Sequence, residues 1–173
     1  RKGRKKMPTN RIPCTVKDFI KVAKGEVGII EVPDNKVKYN KNNGQPWCGY
    51  FVNWCADKIG LKIPSVVYTP SGVVAFKSKK QWIDKTDPAI GDIVFFDFPG
   101  GSSIDHVGIV IKVKEADGLV VTIEGNTSPD TKPTGSQANG GEVAKKVRAY
   151  KSKNKKNLPV FIAGYGRPKW STE

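Results

Sequence analysis

Residues 44–57 read GQPWCGYFVNWCAD, a cysteine at the head of a strongly apolar stretch. Trp47, Tyr50, Phe51, Trp54, Cys55 and Ile59 recur at steps of three and four residues, the period with which a helix buries one stripe against a core. Pro46 fits the first turn, where a missing N–H leaves no bond unmade. Cys48 then falls within that turn, where unpaired backbone N–H groups and the positive end of the helix dipole stabilise negative charge on sulfur. The single histidine of the chain, His106, follows in the strand-like run DHVGIVIKV at 105–113. A thiol and an imidazole are the parts of a nucleophile and its base. Against this stands the usual fate of a free cysteine, which is structural burial.

The other two cysteines calibrate the first. Cys55 lies about 10 Å further along the same helix at 1.5 Å per residue, too far for a disulfide to Cys48. Between Trp54 and Ala56 it reads as core filler. Cys14, beside Pro13, is free or paired elsewhere. With three cysteines in all, at least one thiol stays unpaired in a monomer, and no disulfide framework is present to identify the redox compartment.

Outward from the cysteine helix, the two halves of the chain differ in period. On the N-terminal side, residues 1–12 form a basic arm. Val16, Phe19, Ile20 and Ala23 then mark a helix that Thr15 caps and that runs to about Gly25 or Gly28. Residues 31–45, rich in Asn, Gly and Pro, predict a long loop, and the cysteine helix should end near Gly60. The stretch SGVVAFKSKKQWI at 71–83 is helical by pattern. Beyond Gly91 the runs IVFFDF, VGIVIKVK and LVVTIEG, and the segments 143–150 and 161–166, are strand-like, with a turn at Ala116, Asp117 and Gly118. Residues 128–141 read as loop. Helices first and strands later predict an α+β domain with an antiparallel sheet. At 173 residues there is room for one such domain, taken as 13–170 with a tail at 171–173.

Charge points to an anionic environment. The chain carries 30 Lys and Arg against 16 Asp and Glu, a formal net charge of +14. Much of it lies at residues 1–6 and in KSKNKKN at 151–157, without zinc-finger spacing, helix-turn-helix pattern or aromatic RNP-like strand, so no sequence-specific nucleic-acid reading is expected. Anionic wall polymers or acidic lipids would attract the same charge; lysines that merely solvate loops would carry it too. No apolar run approaches the roughly 20 residues of a membrane span, and the basic N-terminus lacks a signal-peptide apolar region.

The order of parts, PWCGYFVNWC, GDIVFF, DHVGIVIKV, VVTIEGNTS and GYGRPKW, resembles the CHAP family of cysteine- and histidine-dependent amidohydrolases and peptidases that cut bacterial peptidoglycan, over residues of about 15–170. The resemblance implies a papain-like (CHAP, NlpC/P60-like) α+β fold with N-terminal helices packed on an antiparallel sheet. It also implies Cys48 as nucleophile, His106 as general base, Glu124 as the residue orienting that base and Asn126 as a polar helper. The chemistry agrees: a thiolate attacks the amide carbonyl, the imidazolium protonates the departing amine, and a carboxylate on the far ring nitrogen fixes the tautomer. On a straight strand Glu124 and Asn126 face one side, toward a cleft, with Val121 and Ile123 toward the core. Gln45 is a candidate oxyanion donor beside the Cys48 N–H, and Trp47 and Tyr68 are candidates to line the substrate groove, although aromatics beside a helix are more often core. One histidine excludes a multi-histidine zinc site. Asp34, Asn35 and Asp130 lack the alternating carboxylates of a calcium loop, so neither a metal nor another cofactor is expected.

As such a hydrolase the chain would be an endolysin-like N-acetylmuramoyl-L-alanine amidase or endopeptidase acting at the bacterial cell wall. It would be released by lysis machinery or carried on a virion, as a monomer or part of a larger multidomain lysin. Its partners would be peptidoglycan and anionic wall polymers. The alternative is a catalytically silent wall-binding module of the same fold.

Overall fold

The computed structural model describes residues 14–101, 103–131 and 141–171. The basic arm at 1–12, most of the loop expected at 128–141 and the last two residues of the tail lie outside the described residues.

Three helices come first. Helix α1, Val16–Gly25, is capped by Thr15, whose Oγ1 accepts the Asp18 backbone N–H at 3.1 Å, as the sequence predicts. It buries Phe19 and Ala23, and Phe19 meets Trp170 with ring centroids 5.5 Å apart. Helix α2, Cys48–Lys58, buries Phe51, Val52, Cys55 and Ala56. Trp47 is its N-cap, so Pro46 lies just outside the first turn and Cys48 is the first helical residue. Helix α3, Thr69–Ser78, stops earlier than the pattern of 71–83 predicts. Lys80 takes a left-handed φ of 56°, and Trp82–Ile83 become the short edge strand β1. The segment 31–45 is not loop throughout: Lys38–Asn40 make a 3₁₀ turn with Tyr39 and Asn40 buried. The Asn40 amide holds its shape, donating to the carbonyls of Asn35 (2.7 Å) and Gln45 (2.8 Å).

The remaining strands are β2 (Ile93–Phe96), β3 (His106–Lys114), β4 (Leu119–Thr127), β5 (Glu142–Ala149) and β6 (Ile162–Gly166). They form one antiparallel sheet in the order β1-β6-β2-β3-β4-β5. The tight turn between β3 and β4 ends on Gly118, with φ 68°, as turn chemistry there requires. Alternation along the strands divides the core in two. Ile93, Phe95, Val107, Ile109, Ile123 and Val143 face the helices, and Val94, Phe96, Val110, Val120, Ile162 and Tyr165 form a second cluster. The chain is therefore an α+β fold with N-terminal helices on a multi-stranded antiparallel sheet.

Glycines let the two layers approach closely. A Cβ at Gly125 of β4 would fall 2.7 Å from Phe51 Cβ and 2.9 Å from the Trp47 ring. One at Gly49 would fall 2.1 Å from the Val66 carbonyl oxygen. Asn53 straps the same segment to α2, accepting the Val66 N–H at 2.8 Å.

Candidate active site

The nucleophile candidate comes from the helix layer and the base from the sheet. Cys48 opens α2 and His106 opens β3. Two bonds fix the chain entering β3: Thr69 Oγ1 donates to the Ile104 carbonyl at 2.6 Å, and the Asp105 N–H donates to the Phe96 carbonyl at 3.2 Å. In the β2–β3 register His106 pairs with Phe96, so the two share a face. The imidazole is wholly buried between Phe96 and Phe98, at centroid distances of 5.6 and 5.8 Å.

On β4, Ile109 pairs with Ile123 and Val110 with Thr122. That register carried one step on sets Gly108 opposite Glu124, and a Cβ on Gly108 would lie 2.6 Å from Glu124 Cγ. The missing side chain is the space in which the Glu124 carboxylate reaches His106, Oε1 to Nε2 at 2.8 Å. The ring's other nitrogen, Nδ1, is buried and has no hydrogen-bond partner among the described residues. The Cys48 thiol interacts with the same imidazole. With Nε2 held by Glu124, Nδ1 is the nitrogen available to sulfur.

Glu124 is fully buried and saturated with donors. Besides His106, its Oε1 accepts from Arg148 Nη2 (2.5 Å), and its Oε2 accepts from Arg148 Nε (2.9 Å) and Thr122 Oγ1 (2.5 Å). Arg148 lies on β5 opposite Val120, two residues before Thr122 on the same strand face, and its guanidinium sits 4.9 and 5.2 Å from the Phe96 and Phe98 ring centroids.

These contacts set the charges. Burial by itself would push the His106 pKa down, but interaction with the Cys48 thiol and the hydrogen bond to Glu124 outweigh it and carry it up to about 9. Burial would raise the Glu124 carboxyl; the Arg148 charge, then the bonds from His106 and Arg148, hold it well below the usual carboxylate range. At neutral pH the imidazole is therefore a cation that lies beside the Cys48 sulfur and on an ionised carboxylate.

The other site candidates fall elsewhere or need restating. Asn126 is buried next to this group, but β4 is not straight there: Asn126 has φ 52°, and the β4–β5 register slips between Glu124 and Thr127. The expectation of a straight strand that sets Glu124 and Asn126 on one face is corrected by this turn, and Thr122, Glu124 and Asn126 are all buried. Trp47 is also corrected as a groove residue. It is wholly buried, stacks on Tyr39 at 5.5 Å and donates its indole N–H to Glu31 Oε2 at 2.6 Å. Gln45 is exposed, with its backbone N–H bonded to Asn43 Oδ1 at 2.8 Å. Tyr68 is 68% exposed at the start of α3. Cys55 is buried, which pushes its thiol pKa up, and the Cys14 thiol donates to the Ile59 carbonyl at 3.1 Å. All three cysteines are free.

Arg148 is the residue that sequence reasoning missed. Its only signal was an arginine between Val147 and Ala149 in a strand-like segment, and its target depends on the β4–β5 register.

An α+β fold that joins a helix-start thiol to a buried imidazole and carboxylate defines a class of cysteine- and histidine-centred hydrolase-like modules. Residues 40–126, half of the chain, match the CHAP domain model, and the chain belongs to the CHAP domain family. Among solved structures it is similar to the endolysin LysIME-EF1, with 16% identity, a TM-score of 0.53, and coverage of 91% of this chain and 65% of that one. It is also similar to Ly7917, with 16% identity, a TM-score of 0.51, and coverage of 89% and 62%. The chain thus spans a little under two thirds of either protein. No curated protein sequence matches it.

Proposed function

We propose that this protein hydrolyses an amide bond of bacterial peptidoglycan with Cys48 as nucleophile, His106 as general base and acid, Glu124 as the group that orients His106, and Asn126 as a further polar helper. The observation that carries the reading is the buried imidazole with Glu124 on Nε2 and the Cys48 thiol at the same ring, in a chain with one histidine.

The steps balance with these residues alone. Cys48 Sγ, its proton on His106, adds to the carbonyl carbon, and the charge moves to the carbonyl oxygen. As the first residue of α2, Cys48 has a backbone N–H with no partner inside the helix, which serves as one oxyanion donor. Gln45 is proposed for the second. The C–N bond breaks as His106 passes the proton to the leaving amine, which leaves a thioester. Water then gives a proton to His106 and its oxygen to the acyl carbon, which releases the carboxylate and restores the thiol.

The bond cut is either the N-acetylmuramoyl-L-alanine amide or a peptide bond of the stem or cross-bridge. Residues 13–170 form the catalytic unit, and residues 1–12 are a basic arm that adds attraction to anionic wall polymers. The protein acts at the bacterial cell wall, as an endolysin, virion-associated lysin or part of one.

Turbidity of a wall suspension, with co-sedimentation alongside, tests this. The parent should clear the suspension, and Cys48→Ala should bind walls and not clear them, with an unchanged circular dichroism spectrum. A parent that binds without clearing would instead be a silent wall-binding module.

A further inference from the structure

We infer that Arg148 is a positioning residue: it clamps Glu124 by both carboxylate oxygens, so that Glu124 presents one fixed, ionised oxygen to His106 Nε2 and leaves Nδ1 aimed at Cys48. The inference rests on the proposed Cys48–His106 chemistry and adds a fourth member to it from the neighbouring strand.

The geometry leaves Glu124 no freedom. A carboxylate bound only to an imidazole can rotate about its last bond or swing away with the ring. Here Arg148 engages it with a two-pronged fork, Nη2 to Oε1 at 2.5 Å and Nε to Oε2 at 2.9 Å, and Thr122 Oγ1 takes the remaining direction on Oε2 at 2.5 Å. Rotation would break three bonds in a place where no solvent can replace them, since Glu124 is wholly buried.

The clamp is itself held. The guanidinium packs on Phe96 and Phe98, the two rings that also enclose His106. Imidazole and guanidinium thus lie against one aromatic pair, and the plane of the fork fixes the plane of the carboxylate they share.

Charge gives a second reason. A buried carboxylate whose one partner is an imidazole loses that partner's charge each time His106 gives up its proton. Such a carboxylate would then take up the proton or move. Arg148 keeps its charge throughout, so Glu124 stays ionised through the whole cycle while His106 alone exchanges protons. The groups that face the imidazole are Cys48 from α2 and Glu124 from β4, with Arg148 of β5 behind Glu124.

The test uses Arg148→Gln, Arg148→Lys, Glu124→Gln and the Glu124→Gln/Arg148→Gln double variant in the full chain. One measurement is the rate of Cys48 alkylation by iodoacetamide at neutral pH, located by mass spectrometry. The other is kcat and KM on solubilised muropeptides. Arg148→Gln should slow alkylation and lower kcat by about 10- to 100-fold with KM unchanged. Arg148→Lys, which keeps the charge and loses the fork, should fall between it and the parent. In the Glu124→Gln background the same Arg148→Gln change should have less than about a twofold further effect, because Arg148 acts through Glu124. Equal losses in both backgrounds, or an Arg148→Lys protein identical to the parent in both measurements, would overturn the inference. Because Lys keeps a cation in the buried cluster, that variant judges the fork even where Arg148→Gln does not fold. Alkylation needs no wall substrate, so a parent that hydrolyses nothing overturns the hydrolase reading, and the alkylation rates still decide the clamp.

Discussion

At the scale of single residues, His106 carries the pH behaviour. Its pKa is raised from 6.5 to about 9 by its partners, so the stability it contributes is complete below about pH 6.5 and is lost as pH rises through 9. Glu124 has the opposite sign: its contribution is present above the ordinary glutamate value and is lost only as pH falls through its depressed one. Urea unfolding of the parent should therefore give falling stability between about pH 6.5 and 9, and wall hydrolysis should show an alkaline limb near pH 9, where the proton donor for the leaving amine is lost. A flat alkaline profile would contradict this. Cys48 and Cys55 make the second residue-scale comparison. Cys55→Ala should keep turnover and lose about 1–2 kcal/mol of stability from a small core cavity, measured by denaturant unfolding, whereas Cys48→Ala should keep stability and lose turnover. That Cys48, His106 and Glu124 come together was legible in the sequence, because the order of motifs resembles one family and only one imidazole exists. Trp47 was legible only as groove or core, since an aromatic beside Cys48 reads the same in sequence whichever of the two it faces. Its place was decided by Glu31 and Tyr39, from a segment that composition reads as loop.

At the scale of elements, Gly108 and Gly125 decide whether the strands and α2 come close enough to assemble the site. Gly108→Ala would press a methyl against Glu124 Cγ from 2.6 Å, so it should cost about 1–3 kcal/mol and reduce turnover beyond what unfolding explains. Gly25→Ala, at the end of α1 where a Cβ meets nothing within 4 Å, should be neutral or stabilising by under about 1 kcal/mol. Thermal unfolding with activity at a fixed folded fraction separates the two. The long strands were legible because β2 to β4 alternate against two apolar faces and their turns carry Gly and Asp. The end of α3 was not, because Trp82 and Ile83 keep the helical spacing of apolar residues while Lys80 turns the backbone away. The bulge that re-aims Asn126 was equally hidden, since Asn tolerates a left-handed φ without leaving a sign in the pattern.

At the scale of the whole molecule, the order of elements gave the α+β class directly, but the strand order β1-β6-β2-β3-β4-β5 and the cross-strand reach of Arg148 depend on long-range pairing that no local pattern encodes. Charge acts at this scale too. Lys151, Lys153, Lys155 and Lys156 are exposed on a loop that Asn154 pins, donating to the Lys151 carbonyl at 3.0 Å and the Leu158 carbonyl at 2.9 Å. Neutralising the four lysines should weaken binding to intact walls, most at low ionic strength where screening is least, and should leave hydrolysis of a soluble muropeptide nearly unchanged. Unaltered binding across a salt titration would make them a solvated surface only. The central claim, amide hydrolysis by Cys48 through His106, is tested most directly by mass spectrometry of the fragments released from purified sacculi by the parent and by Cys48→Ala. The expected result is one new amine and one new carboxylate at a single type of amide bond with the parent, and no release with the variant. Release by both proteins, or fragments cut only in the glycan, would contradict it.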